Sequence, residues 1–165
     1  MSVSFEENLA QWNAIEERAR LGAAAAAEAM AAYIAERIRN DTLRRRRTAP
    51  GTYYKAVRGE PPAYGSGKLA GSIYSTPASG GLRASALAGS TDEKASLLEF
   101  GGCVLQSTSR SVMHWTDSGG SWYHRRLPMS GTYPEHPFIG LTTDEAIDDG
   151  ELQRVAVEAF REYDP

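Results

Sequence analysis

One cysteine, Cys103, stands in 165 residues, so no disulfide can close within the chain and nothing in it requires an oxidising compartment. Histidine is equally scarce: His114, His124 and His136 are the three, and no two of them share the short spacing that holds a metal on one helix face. Long apolar runs are missing too. The richest stretch, residues 21–35, is mostly alanine and is interrupted by Glu28, which leaves it too short and too weakly hydrophobic to span a bilayer. Charge is nearly balanced at -3, which argues against a dedicated nucleic-acid binder while leaving room for a local basic patch. Near the N-terminus, Glu6 and Glu7 stand where a secretory signal would carry basic residues, so the expectation is a soluble chain that stays inside the cell where it is made. No internal repeat at a fixed period is present.

What the sequence does have is enough apolar content, 41%, beside 24% charged residues, to build a core. From Phe5 to about Arg47 there is no proline and the residues are mostly strong helix formers. Ser4 and Glu7 fit a capping box at its start. Leu9, Trp12, Ala19, Ala23, Ala26 and Met30 recur at three- and four-residue steps and continue to Tyr33 or Ile34 and Arg37 or Ile38, giving one apolar stripe. Forty helical residues would reach about 60 Å, beyond the diameter of a small domain. Such a helix either breaks near Gly22 or extends to touch a neighbour. The alanine run 23–27 is a high-propensity spacer or a site of close helix packing. Arg44, Arg45, Arg46 and Arg47 close the helix; a solvated charge run at the negative end of the helix dipole, inter-subunit ion pairs and phosphate contact with DNA are the three readings.

Residues 48–71 are punctuated by Pro50, Gly51, Pro61, Pro62, Gly65 and Gly67 too often for a helix or a central strand, and read as a long loop carrying Tyr53, Tyr54 and Tyr64. Gly65-Ser66-Gly67-Lys68 lacks the first glycine and the hydroxyl of a phosphate loop, and no strand precedes it. Residues 71–76 and 81–90 read as two strands joined by a turn through residues 77–80, and residues 92–100 as a short helix capped by Thr91 or Asp92 and ended by Gly101. Residues 112–126 read as a hairpin. A three-residue loop at Ser118, Gly119 and Gly120 sets His114 opposite His124 and Trp115 opposite Tyr123; a two-residue loop at Gly119 and Gly120 sets Trp115 opposite His124. The first register places two imidazoles face to face, with His136 or Cys103 as a conceivable third metal ligand, but packing of the hairpin aromatics explains the pattern as well. Pairing Cys103 with a histidine as a nucleophile has no spacing to support it. Thr143 reads as the N-cap of a helix from Asp144, with a last amphipathic helix marked by Leu152, Val155, Ala156, Ala159 and Phe160.

Between these elements lies Leu97-Leu98-Glu99-Phe100-Gly101-Gly102, two leucines and a phenylalanine bracketing one carboxylate before a sharp turn. Glu99 has no partner acid, base or ligand at a recognisable spacing, so it reads as a cap or as the partner of an arginine rather than as a catalyst. The residues alone give an α+β fold, one domain overall: an N-terminal helical arm over 1–47, then a core over 48–165 with a mainly antiparallel sheet of four to five strands, long loops, a hairpin and a C-terminal helix.

Three blocks in order, Gly67, Leu69, Ser72 and Ile73, then Glu99, Phe100 and Gly101, then Pro137 and Phe138, resemble the neck proteins of long-tailed phages, the head-to-tail joining or tail-completion family. The likeness spans residues 48 to 150 or so. It implies that these nine residues are the family-motif core, with residues 97–100 and Phe138 packing the interior. It implies a structural virion protein with no enzyme activity and no cofactor, forming a ring between the head connector and the tail tube around the DNA channel; tail terminator and head-closure (stopper) rings are the neighbouring alternatives. Its partners would be copies of itself, six preferred over twelve, the connector or stopper on one side, the terminator or tube on the other, and the genomic DNA passing through, with no membrane. Trp12, Met30, Tyr53, Tyr54, Tyr64, Trp115 and Trp122 are then candidate interface residues. The alternatives of another class are a DNA-binding protein using Arg44–Arg47 and a hydrolase built on the histidines.

Overall fold

The proline-free opening of the chain folds as a single 36-residue helix, α1, Phe5–Asn40, in a computed structural model that describes residues 5–45, 57–62, 67–104, 113–117, 120–124 and 131–163. It passes Gly22 without a break. A short 3-10 turn, Thr42–Arg44, follows. Then come α2, Lys68–Gly71; β1, Ile73–Ser75; β2, Ala88–Ser90; α3, Ala95–Phe100; β3, Gly102–Val104; β4, Met113–Asp117; β5, Gly120–His124; β6, Gly131–Tyr133; α4, Ile139–Asp148; and α5, Glu151–Arg161. The expected capping box at Ser4 and the tyrosines 53, 54 and 64 lie outside the described residues.

The chain is a mixed α+β protein with a long N-terminal helix and two C-terminal helices. Its strands pair two by two, β1 with β2, β3 with β6 and β4 with β5; among the described residues no sheet of four to five strands forms. Most strands are only three residues long, because the intervening sequence turns too often. The expected strand over 81–90 keeps only its last three residues: Gly80 sits at φ +106°, residues 81–83 bend, and Ser79 and Ser85 exchange both backbone hydrogen bonds at 2.9 and 2.8 Å.

The hairpin adopts neither expected register. Asp117 pairs with Gly120, so Ser118 and Gly119 are the two connecting residues, the loop length that tight hairpins favour. Trp115 then lies opposite Trp122, His114 opposite Tyr123 and Met113 opposite His124. A one-residue shift moves every partner, and the two imidazoles no longer face each other.

By contacts the chain divides into two units, Met1–Ala35 with Tyr74–Gly89 and Thr143–Pro165, and Glu36–Ile73 with Ser90–Thr142. In the first, Ala27, Ala31, Ile34, Ala35 and Ala146 are buried. A Cβ at Gly22 would lie 2.9 Å from two ring carbons of Phe160, so the glycine is what lets the α5 ring lie against the α1 backbone. Ala27 and Ala31, about 140° and 180° round the helix from Gly22, are buried as well, and residues 23–26 of the alanine run are half-buried. From Asn8 to Leu21 every residue is exposed except the half-buried Ala19, and Leu9, Trp12 and Ile15 are 50%, 69% and 54% accessible.

In the second unit, Ile38, Leu43, Ala70, Ile73, Ala95 and Phe138 form the buried apolar set, with Thr42, His136 and Thr142 as buried polar members. Each of these polar groups is bonded. The Thr142 hydroxyl is 2.6 Å from the Phe138 carbonyl and 2.6 Å from the Thr42 hydroxyl. With one proton on each, Thr142 donates to the carbonyl and Thr42 donates to Thr142. No helix among the described residues is long and apolar enough to cross a membrane.

Candidate functional site

α3 is six residues long, and Ala95 and Glu99, four apart, share one face of it. Ala95 is buried, so Glu99 is carried inward. Its Oε2 accepts the backbone N–H groups of Phe138 at 2.8 Å and Ile139 at 2.9 Å, and its Oε1 accepts that of Gly140 at 2.7 Å. These donors stand at the N-terminus of α4, where no intrahelical acceptor exists. A carboxylate there also meets the positive end of the helix dipole. Charge-assisted bonds of this kind contribute about 1.5–3 kcal/mol each before non-additivity. Both oxygens of Glu99 are thus committed to the backbone, and of its two structural roles capping is the one observed.

The clamp explains two departures from the sequence reading. α4 starts at Ile139, not at Asp144, because its cap comes from a residue forty positions earlier and Thr143 is not needed for it. Phe100 is 78% accessible and packs no core: it follows Glu99 by one residue, about 100° further round the helix, and so points outward when Glu99 points in. Leu97 and Leu98 are half-buried. Phe138, fully buried, does anchor the crossing.

Around the clamp, Gly101 at φ +64° ends α3, and a Cβ on Gly140 would sit 3.0 Å from Glu99 Oε1. His136, two residues before Phe138, donates its backbone N–H to Leu98 C=O at 2.6 Å, and its Nδ1 lies 3.1 Å from Glu60 C=O. Gly59 donates to Glu135 C=O at 3.0 Å, beside an ion pair from Arg58 to Glu135 at 3.2 Å. The 135–140 segment is therefore held by α3 on one side and by residues 58–60 on the other.

The first motif block lies in the same unit. Gly67 takes φ +78° ahead of α2, a conformation that suits glycine. Asp92 N–H donates to Ser90 Oγ at 3.1 Å, Ser90 to Ser72 Oγ at 2.7 Å, and Ser72 to Leu69 C=O at 2.6 Å, a relay that ties the end of α2 to β2. Ile73 is buried, and its carbonyl accepts the Arg39 guanidinium at 3.2 and 2.7 Å. Leu69 and Pro137 are half-buried.

The remaining candidates are dispersed. Trp12 is exposed on the α1 arm, and Met30 is half-buried within it. Trp115 and Trp122 oppose each other in the hairpin. Arg44 ends the 3-10 turn and Arg45 follows it, while Arg46 and Arg47 lie outside the described residues. No group of three or more potential metal ligands occurs among the described residues. Sequence reasoning missed the Thr42–Thr142 pair, the Arg39 bond and the partner of Glu99. All three join residues at least 34 positions apart, and no local pattern marks them.

Set against protein-family models, curated proteins and solved structures, the chain matches none.

Proposed function

We propose that this chain is a structural subunit of a phage neck, forming a ring that joins the head connector to the tail tube around the DNA channel, in the manner of tail-completion or head-to-tail joining proteins. The observation that carries the reading is the Glu99 clamp. The acid of the second motif block and the Pro-Phe of the third make one joint, so two of the three blocks behind the resemblance are a single structural feature. A carboxylate whose oxygens are both spent on a helix terminus suits a subunit whose task is to hold a shape.

The bare first turns of α1 support the same reading. An isolated helix of about 12–15 residues is marginal in water, and a stretch carrying exposed Leu9, Trp12 and Ile15 gains from a neighbour. A ring supplies one at every position, because it closes through one patch meeting a different patch on the next copy. The reading retains six copies over twelve, a sheet of four to five strands and a place in the virion as its finer expectations.

Electron microscopy of the purified protein, alone and mixed with a connector or tail-tube protein, tests it. Rings with a central opening, seated on the end of the tube or on the connector, are the expected result. A dispersed monomer that ignores both and shifts a DNA fragment in a gel would replace this reading with the DNA-binding one.

A further inference from the structure

Along the exposed stretch of α1, Leu9, Trp12, Glu16 and Ala19 follow one another at steps of three, four and three residues and so share one face of the helix. Glu6, Asn13 and Arg20, seven apart and all exposed, line one flank of that face, and Asn8 and Ile15 line the other. The stripe is a short heptad seam with an acid at one end of its charged flank and a base at the other. That order of charges selects its occupant. We infer that this arm pairs antiparallel with the same arm of a second copy of the chain, centred on Ala14, so that Glu6 of each copy meets Arg20 of the other.

A two-fold that reverses the direction of a helix brings like flanks together, so Glu6, Asn13 and Arg20 of one copy run against Arg20, Asn13 and Glu6 of the other. Centred on Ala14, Leu9 lies opposite Ala19 and Trp12 opposite Glu16, while Glu6 and Arg20 stand within about 3 Å of each other along the axis. Ile15 meets Ile15 on the second flank. Arg20 already donates to Glu17 of its own helix at 2.8 Å through Nε, and its five N–H donors leave room for a second carboxylate. Parallel pairing about a two-fold would set Glu16 against Glu16 and turn the charged flank onto the Ile15 flank, leaving Glu6 and Arg20 unmatched. On the antiparallel centre, residue 6 stands level with residue 22 of the second copy, so the overlap uses the exposed stretch and stops where Phe160 lies against Gly22.

The contact is isologous and stands without the ring reading, because neighbours in a ring of six are not related by a two-fold. It covers the stripe in the free protein and opens before a ring closes.

Sedimentation of the full chain across a concentration range tests it. Wild-type protein is expected to pass from monomer to dimer, and Trp12→Ala should raise the concentration needed by about tenfold or more. Glu6→Arg and Arg20→Glu each place like charges at both edges of the pair and should raise it by about threefold or more. Mixed in equal amounts, these two variants should form a one-to-one dimer at the wild-type concentration, because one carries bases at both positions and the other acids. In parallel arms residues 6 and 20 lie about 21 Å apart along the axis, so no such rescue occurs.

Wild-type protein that stays monomeric at every concentration, a dimer indifferent to Trp12→Ala, or charge variants that stay apart when mixed would each overturn the inference. Assembly of the wild type straight into rings, with no dimer at any concentration, overturns the pair and leaves the neck reading standing. A dimer with the expected properties that ignores connector and tail tube keeps the pair and sinks the neck reading.

Discussion

Glu99 Oε1 stands 2.7 Å from the backbone nitrogen of Gly140, and a Cβ at position 140 would come within 3.0 Å of the same oxygen. A side chain at position 140 would press the carboxylate back by a few tenths of an ångström. Glu99→Ala leaves three N–H donors without their acceptor and is expected to lower the unfolding free energy by about 2–4 kcal/mol, within the range for charge-assisted bonds and caps. Glu99→Gln keeps one acceptor oxygen and should lose less. Urea unfolding midpoints of the two variants check the order; equal midpoints for wild type and Glu99→Ala would contradict the clamp's energetic role.

The buried hydroxyl pair makes an asymmetric prediction. Thr142→Val removes the hydroxyl that donates to Phe138 C=O and accepts from Thr42; the carbonyl keeps the intrahelical bond of the first α4 turn, the buried Thr42 hydroxyl loses this acceptor, and the change should cost about 1–3 kcal/mol. Thr42→Val leaves the bond from Thr142 to Phe138 intact and should cost about half as much. In a double-mutant cycle the two changes should be non-additive, because the partners share one bond.

Gly22 tests the packing of α5 on α1. Gly22→Leu drives a large side chain into the Phe160 ring, whose carbons lie 2.9 Å from the position of a first Cβ. Overpacking of this kind costs about 1–3 kcal/mol, against about 1 kcal/mol gained by replacing a glycine inside a helix. The net expectation is a lower melting temperature, and removal of the ring in Phe160→Ala should make Gly22→Leu far less harmful.

On the bare arm, the hydrogen bond from Arg20 holds the Glu17 carboxyl below its ordinary value, with their charge attraction adding to it. A depressed folded-state value means that the contribution is present above the ordinary glutamate range and is lost as pH falls through the lowered value. Helical signal from the arm should therefore weaken in acid below that range. A side-chain carboxyl titration by NMR in wild type and Arg20→Gln should show the value return towards normal in the variant.

The fold was most legible where the signal is local. Proline-free helix formers marked α1, the spacing of Leu152, Val155, Ala156 and Ala159 marked α5, and Gly101 marked the end of α3. It was least legible where a distant residue decides. Thr143 has the chemistry of a cap, and only the approach of Glu99 moves the start of α4 to Ile139. Phe100 has the composition of a core residue, and the inward turn of Glu99 on a six-residue helix sends it to the surface. The hairpin was recognisable from its aromatics, but Ser118, Gly119 and Gly120 permit several connections, among them two of equal length that differ by one position, so the local sequence does not select the observed one at Ser118 and Gly119.

The most direct test of the proposed function is the mass of the purified full chain in solution across a concentration range, repeated with a connector or tail-tube protein. A closed assembly of six copies, or of twelve, formed alone or on the partner, is the predicted result. A monomer that stays monomeric at every concentration and binds neither partner would contradict it.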